Sequence, residues 1–125
     1  MSASLDAKSV LVIEDQFLIA LDVEQALRRA GATDVRLASS VRDALRVLTE
    51  FVPEAAVLDL VLRDGTGVEV ARALAERQVP FVFATGYGNG VPIPAPYGHV
   101  PIVRKPFTAE ELISQLNRVV AAGAR

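Results

Sequence analysis

Ala55-Ala56-Val57-Leu58-Asp59-Leu60-Val61-Leu62 decides how this chain folds. Four small or branched apolar residues run into one carboxylate, and three more apolar residues follow. An apolar run this short, without polar alternation, reads as a strand buried on both faces. Charged groups are rarely buried without a partner, so an acid at the end of such a strand marks a site. Ser9-Val10-Leu11-Val12-Ile13 is a second run of the same kind, closed by Glu14 and Asp15. Two buried strands that both end in acid can bring three carboxylates together.

Outward from these runs, short apolar segments alternate with segments of helical period. Gln16 to Ala30 puts Ala20, Val23, Leu27 and Ala30 on one face and Asp22, Gln25 and Arg29 on the other, with Gly31 as the stop. Asp15 can also cap this helix. Val35 to Ala38 is a short second strand. Ser40 can cap a helix in which Val41, Ala44, Leu45 and Leu48 repeat at helical spacing. Beyond the Asp59 strand, Asp64-Gly65-Thr66-Gly67 is a turn signal, and Val68 to Gln78 carries Ala71, Leu74 and Ala75 on one face. Pro80 to Ala84 is a fourth strand and Ile102 to Arg104 a fifth. Thr108-Ala109-Glu110-Glu111 has the pattern of a capping box. It opens a last helix with Leu112, Leu116, Val119 and Val120 inward and an end near Gly123.

Strands alternating with helices predict an α/β fold, a doubly wound parallel sheet joined by right-handed crossovers. Such sheets bind ligands beyond the strands' C-terminal ends, where the strand order reverses. In the order 2-1-3-4-5 that point lies between strands one and three, where Glu14, Asp15 and Asp59 sit. The stretch from Gly86 to Pro101 breaks the alternation, because eight of its sixteen residues are Gly or Pro. Its Pro92-Ile93-Pro94-Ala95-Pro96 favours extended backbone, so a fourth helix is expected to be missing or cut to about one turn.

The chain has 125 residues, enough for one domain with a real core, and 51% of them are hydrophobic. We expect a single domain over residues 1–125, its core at about 8–122, with no effector domain. A net charge of −2 gives no electrostatic case for nucleic acid or anionic lipid. No apolar run approaches the roughly 20 residues that span a bilayer, and the first residues lack a signal-peptide pattern. No nucleic-acid or membrane partner is expected. The chain has no cysteine, which fits the expected cytoplasmic location and excludes thiolate chemistry.

Three carboxylates at one edge carry a formal charge of −3. Two unit charges about 5 Å apart repel by roughly 3 kcal/mol at an effective dielectric near 20. Either a proton stays on or a cation binds, and an oxygen-rich set suits Mg²⁺. Thr85 closes the fourth strand and Lys105 the fifth. The chain holds eleven Arg and only two Lys, and lysine is a compact point charge, unlike arginine's flat fork. An aspartate neutralised by a metal and flanked by a hydroxyl and an ammonium is suited to accepting a phosphoryl group.

Glu14-Asp15, Asp59, Thr85 and Lys105-Pro106-Phe107, in this order on successive strand ends, resemble the receiver domain of two-component response regulators. The resemblance runs from about Lys8 to Ala122. It implies a flavodoxin-like (βα)₅ fold and phosphotransfer from a histidine kinase to Asp59. It implies Mg²⁺ (or Mn²⁺) held by Asp15, Asp59 and the backbone carbonyl of Val61, with Glu14 acting through water. It implies catalytic assistance from Thr85 and Lys105, a cis peptide before Pro106, and a downstream protein or phosphotransfer protein as a further partner. Phe83-Ala84-Thr85-Gly86-Tyr87 resembles the subgroup named for a Phe-Ala-Thr-Gly-Tyr motif, whose members are often partnered with HWE-type or related histidine kinases. Thr85, Tyr87 and Ile102 are the switch candidates. The family usually has an aromatic at the place of Ile102, so the Gly/Pro-rich segment after Thr85 is the candidate replacement for a Thr/aromatic switch.

Two other classes compete. A small aspartyl-phosphate phosphatase usually needs Asp-x-Asp after its first strand, and Glu14 and Asp15 are adjacent instead. A flavin-binding carrier shares the fold. His99, the only histidine, reads as structural or exposed, and Gly86-Tyr87-Gly88-Asn89-Gly90 has no following helix to make a nucleotide loop.

Overall fold

The computed structural model describes residues 4–86 and 92–123. The chain runs β1 (Ser9–Ile13), α1 (Phe17–Arg29), β2 (Asp34–Ala38), α2 (Val41–Leu48), β3 (Ala55–Leu58), β4 (Val61–Leu62), β5 (Gly65–Thr66), α3 (Val68–Glu76), β6 (Phe81–Thr85), β7 (Ile102–Arg104) and α4 (Ala109–Gly123). Five strands form one sheet in the order β2-β1-β3-β6-β7, and all four pairings are parallel. Counted within that sheet, the order is 2-1-3-4-5, the flavodoxin-like arrangement expected. Between β6 and β7, the described residues contain one 3₁₀ turn, Ala95–Tyr97, where a full (βα)₅ fold has its fourth helix.

Alternate side chains of the central strands pack on opposite faces. Leu11, Ile13, Ala56, Leu58, Phe81 and Phe83 meet α2 and α3 through Ala44, Leu48, Val70 and Leu74. Val10, Val12, Ala55, Val57, Val82 and Ala84 meet α1 and α4 through Val23, Leu27, Leu112 and Leu116. Burial on both faces is why these strands are apolar without alternation. Leu5, ahead of the first strand, is also fully buried against the second cluster.

The helix ends follow the sequence signals, with exceptions. Gly31 adopts φ 108° beside Asp6, where a side chain would collide. Ser40 Oγ accepts the Asp43 N–H at 3.0 Å. Thr108 and Glu111 form the reciprocal box, at 3.1 and 2.9 Å. Asp15 does not cap α1: Gln16 holds the cap position, without a side-chain bond. Helix α3 stops at Glu76, two residues short of the expectation, and Ala75 is exposed. Its buried face is Val70-Ala71-Ala73-Leu74, and the next residue turns about 100° away from it. The turn at Asp64–Gly67 is part of a small antiparallel hairpin, β4 with β5, that the short segment did not signal.

Gly67 is the tightest point of this hairpin's base. A Cβ there would collide with the Asp59 carbonyl oxygen and crowd Leu58 Cδ1 at 3.1 Å. Gly67→Ala should therefore destabilise the chain by about 3 kcal/mol in urea unfolding, as overpacking against fixed backbone does. A loss below about 1 kcal/mol would contradict this close approach.

Candidate functional site

The C-terminal ends of β1, β3, β6 and β7 carry Glu14, Asp59, Thr85 and Lys105. Main-chain bonds fix their relative heights. The Asp59 N–H donates to the Ile13 carbonyl at 3.0 Å, the Glu14 N–H to Ala38 at 2.9 Å, and the Lys105 N–H to Thr85 at 2.9 Å. Parallel register thus turns residues far apart in sequence into neighbours. Asp59, Glu14 and Thr85 are 4%, 5% and 3% exposed, and they are the buried polar residues among those described. Asp15 is half-buried.

Lys105 joins the acids. Its Nζ lies 2.6 Å from Glu14 Oε1 and 2.9 Å from Asp59 Oδ2. The remaining oxygens are also held: Asp59 Oδ1 accepts the Val61 N–H at 3.1 Å, and Glu14 Oε2 accepts the Gln16 N–H at 3.0 Å. The peptide from Lys105 to Pro106 is cis, as the resemblance implied. Ile102 stands 40% exposed on the edge strand β7. Tyr87 lies outside the described residues.

Burial pushes the Glu14 carboxyl above the usual carboxylate range, and the Asp59 charge pushes the same way. The Lys105 ammonium and the Gln16 N–H oppose that shift without cancelling it. Burial alone would lower Lys105, but its bonds and charge pairing with Glu14 and Asp59 outweigh it and raise the ammonium. A raised lysine contributes stability that is complete below its unfolded value and lost only in alkaline solution. A raised carboxyl acts oppositely: stability falls as pH rises through the window between its ordinary and raised values.

The oxygens fit a divalent ion. Glu14, Asp15 and Asp59 each offer one carboxylate oxygen, and these lie within 4.8 Å of one another. Three acids and one ammonium leave −3 + 1 = −2, the charge that a hard divalent cation cancels, and an all-oxygen set suits Mg²⁺.

Comparison with known proteins agrees with this geometry. The family model for the response regulator receiver domain matches residues 10–117, so this chain belongs to the response regulator receiver family. It is 30% identical over 112 residues to the sensory transduction protein LytT of Bacillus cereus, covering 87% of this chain and 46% of LytT. It is 29% identical over 113 residues to the acid tolerance regulatory protein ActR of Rhizobium meliloti, covering 87% of this chain and 58% of ActR. The chain thus spans about half the length of the curated relatives it matches. Among solved structures, a response regulator receiver protein from Sinorhizobium medicae WSM419 superposes with a TM-score of 0.80 at 29% identity, covering 97% of this chain and all of that one. SdrG from Sphingomonas melonis Fr1 matches with a TM-score of 0.74 at 35% identity, over 93% and 98% of the two chains. Receiver domains act in two-component signalling as phosphoacceptors, a non-enzymatic role, and generally bind Mg²⁺ at an acidic pocket. Among the described residues, no helix is long and apolar enough to cross a membrane.

Lys105→Met tests the electrostatic account, because it leaves Glu14 and Asp59 buried without their shared cation. The metal-free variant should lose about 3 kcal/mol at pH 7 in urea unfolding. It should recover most of this near pH 4, as the carboxyls take up protons. A loss independent of pH would assign the lysine a packing role.

Proposed function

We propose that Asp59 accepts a phosphoryl group from a histidine kinase in two-component signalling, and that the phosphorylated chain changes its affinity for a downstream or phosphotransfer protein. The observation that carries this reading is the Lys105 ammonium held between Glu14 and Asp59 at 2.6 and 2.9 Å. A buried carboxylate with a fixed ammonium beside it is a nucleophile whose product charge already has a partner.

An Asp59 carboxylate oxygen attacks the phosphorus of a phosphohistidine. A P–O bond forms, the P–N bond breaks, and the imidazole leaves with its electron pair and takes up a proton. Lys105 Nζ stabilises the charge on a phosphoryl oxygen, and the Thr85 hydroxyl donates to another. Asp15, Asp59 and the Val61 carbonyl, with Glu14 through water, would hold Mg²⁺ or Mn²⁺. When bound, the ion supplies positive charge beside the phosphoryl oxygens. Glu14 and the Val61 and Gln16 N–H groups keep Asp59 and Lys105 in position.

The Phe83–Tyr87 motif supports a kinase of the HWE type or a relative as donor, and the reaction belongs to the cytoplasm. Thr85 is the first element of the switch. Ile102 has no ring to swing inward, which leaves the signal to Thr85, Tyr87 and the segment after them. Membership of the receiver family favours this reading over a phosphatase or a flavin carrier.

Acetyl phosphate should label the wild-type chain with one phosphoryl group, and Asp59→Asn should abolish the label. EDTA should stop labelling and excess Mg²⁺ restore it. Thr85→Ala should still be labelled but bind its partner with little dependence on phosphate. A label of unchanged stoichiometry on Asp59→Asn would refute the assignment.

A further inference from the structure

The loop after Asp59 is tied to a part of the fold that the transfer step does not use. Asp64, at the turn between β4 and β5, accepts the Val41 N–H on Oδ1 at 2.7 Å and the Arg42 N–H on Oδ2 at 3.0 Å. These are the first two N–H groups of α2, which a helix cannot satisfy from within. The third, that of Asp43, goes to Ser40 Oγ at 3.0 Å. One helix start is thus capped twice: by its neighbour Ser40, and by a carboxylate more than twenty residues further along the chain. The Arg42 and Val41 N–H groups also hold the Asp64 carboxyl below its ordinary value, so it is an anion at neutral pH.

Beyond its own β4–β5 pairing, the tip of this loop has no buried side chain to anchor it. Arg63, Asp64, Gly65 and Thr66 are all exposed, so no side chain between Leu62 and Gly67 is buried. The base of the loop is part of the site. The Val61 N–H donates to Asp59 Oδ1 at 3.1 Å, and the Gly67 N–H to the Leu60 carbonyl at 2.8 Å. The start of α2 is linked to the other acidic strand end, since Ala38, three residues before Val41, accepts the Glu14 N–H at 2.9 Å. Asp64 therefore closes a brace between the loops that carry Glu14 and Asp59.

We propose that Asp64 is a positioning residue for the phosphoacceptor site, a carboxylate strut that fixes the Val61 peptide by tying residues 60–67 to α2. This rests on reading Asp59 as the phosphoacceptor and the Val61 carbonyl as a metal ligand. Without the strut, the paired β4–β5 hairpin is tethered at its base, by buried Leu62 and the Val61 and Gly67 N–H bonds, and can tilt there as a unit. The Val61 peptide then shifts with the hairpin, and Mg²⁺ binding and labelling weaken together.

The test compares Asp64→Ala and Asp64→Asn with Ser40→Ala in the full chain. Both alanine variants remove a cap from the same helix, so both melting temperatures should fall, Asp64→Ala further because it loses two N–H partners to Ser40's one. Amide exchange without metal should then show faster exchange of the Val61 and Gly67 N–H groups in Asp64→Ala and wild-type exchange in Ser40→Ala. Titration calorimetry with Mg²⁺ alone should show affinity roughly tenfold weaker for Asp64→Ala, as when a supporting partner of a metal ligand is lost, and within about twofold of wild type for Ser40→Ala. Asp64→Asn, which keeps one acceptor oxygen, should fall between. Wild-type exchange at Val61 and Gly67 together with wild-type Mg²⁺ affinity in Asp64→Ala would overturn the strut while leaving the phosphoacceptor reading intact. A wild-type chain that binds no Mg²⁺ and takes no label would overturn both.

Discussion

One ammonium between two buried carboxylates sets the terms for this molecule. Glu14 and Asp59 are nearly sealed from water, and their shared cation comes from the far strand of the sheet. Removing charge from water is costly, and the mutual attraction offsets it only when the geometry is good and the remaining oxygens are bonded. Here they are bonded, by the N–H groups of Val61 and Gln16. The arrangement is still incomplete, because three acids face one base. That deficit of positive charge is what a divalent cation beside the three acids would offset.

The fold exists to hold this imbalance in place. Parallel pairing sets the ends of β1, β3, β6 and β7 side by side, and apolar packing on both faces keeps them from shifting. A strand slipped by one residue would carry its terminal polar residue about 3.3 Å out of line with its neighbours and set mismatched side chains against both helical layers. Core packing and site geometry are therefore the same constraint seen from the two sides of the sheet. The edges are less constrained: β7 has three residues, and in the described part of its connection from β6 a single 3₁₀ turn stands in for a helix.

Much of this was legible in the sequence because it depends on local patterns. Continuous apolar runs marked β1, β3 and β6, and the terminal acids, Thr85 and Lys105 marked the site because polar residues at the ends of buried strands are uncommon. What escaped depends on contacts across the chain. Nothing near Asp64 announces that its carboxylate caps a helix more than twenty residues earlier, since a turn aspartate usually bonds its own neighbours. The hairpin β4–β5 is too short to carry a period. Leu5 stands alone among polar and small residues ahead of the first strand, with no period to mark it, yet it is buried in the cluster that holds Val10 and Val35. Ala75 was placed inward by spacing alone, although alanine's small side chain is a weak guide to which face is buried.

The central claim is that a transient acyl phosphate forms on one residue. Borohydride reduces such a mixed anhydride to an alcohol, converting a phosphorylated aspartate to homoserine. Peptide mass spectrometry after acetyl phosphate, Mg²⁺ and borohydride reads this directly. The account predicts homoserine at residue 59 and no other reduced acid; homoserine at residue 15, its one-carbon-longer homologue 5-hydroxynorvaline at residue 14, or no reduced residue in fully folded protein, would contradict it.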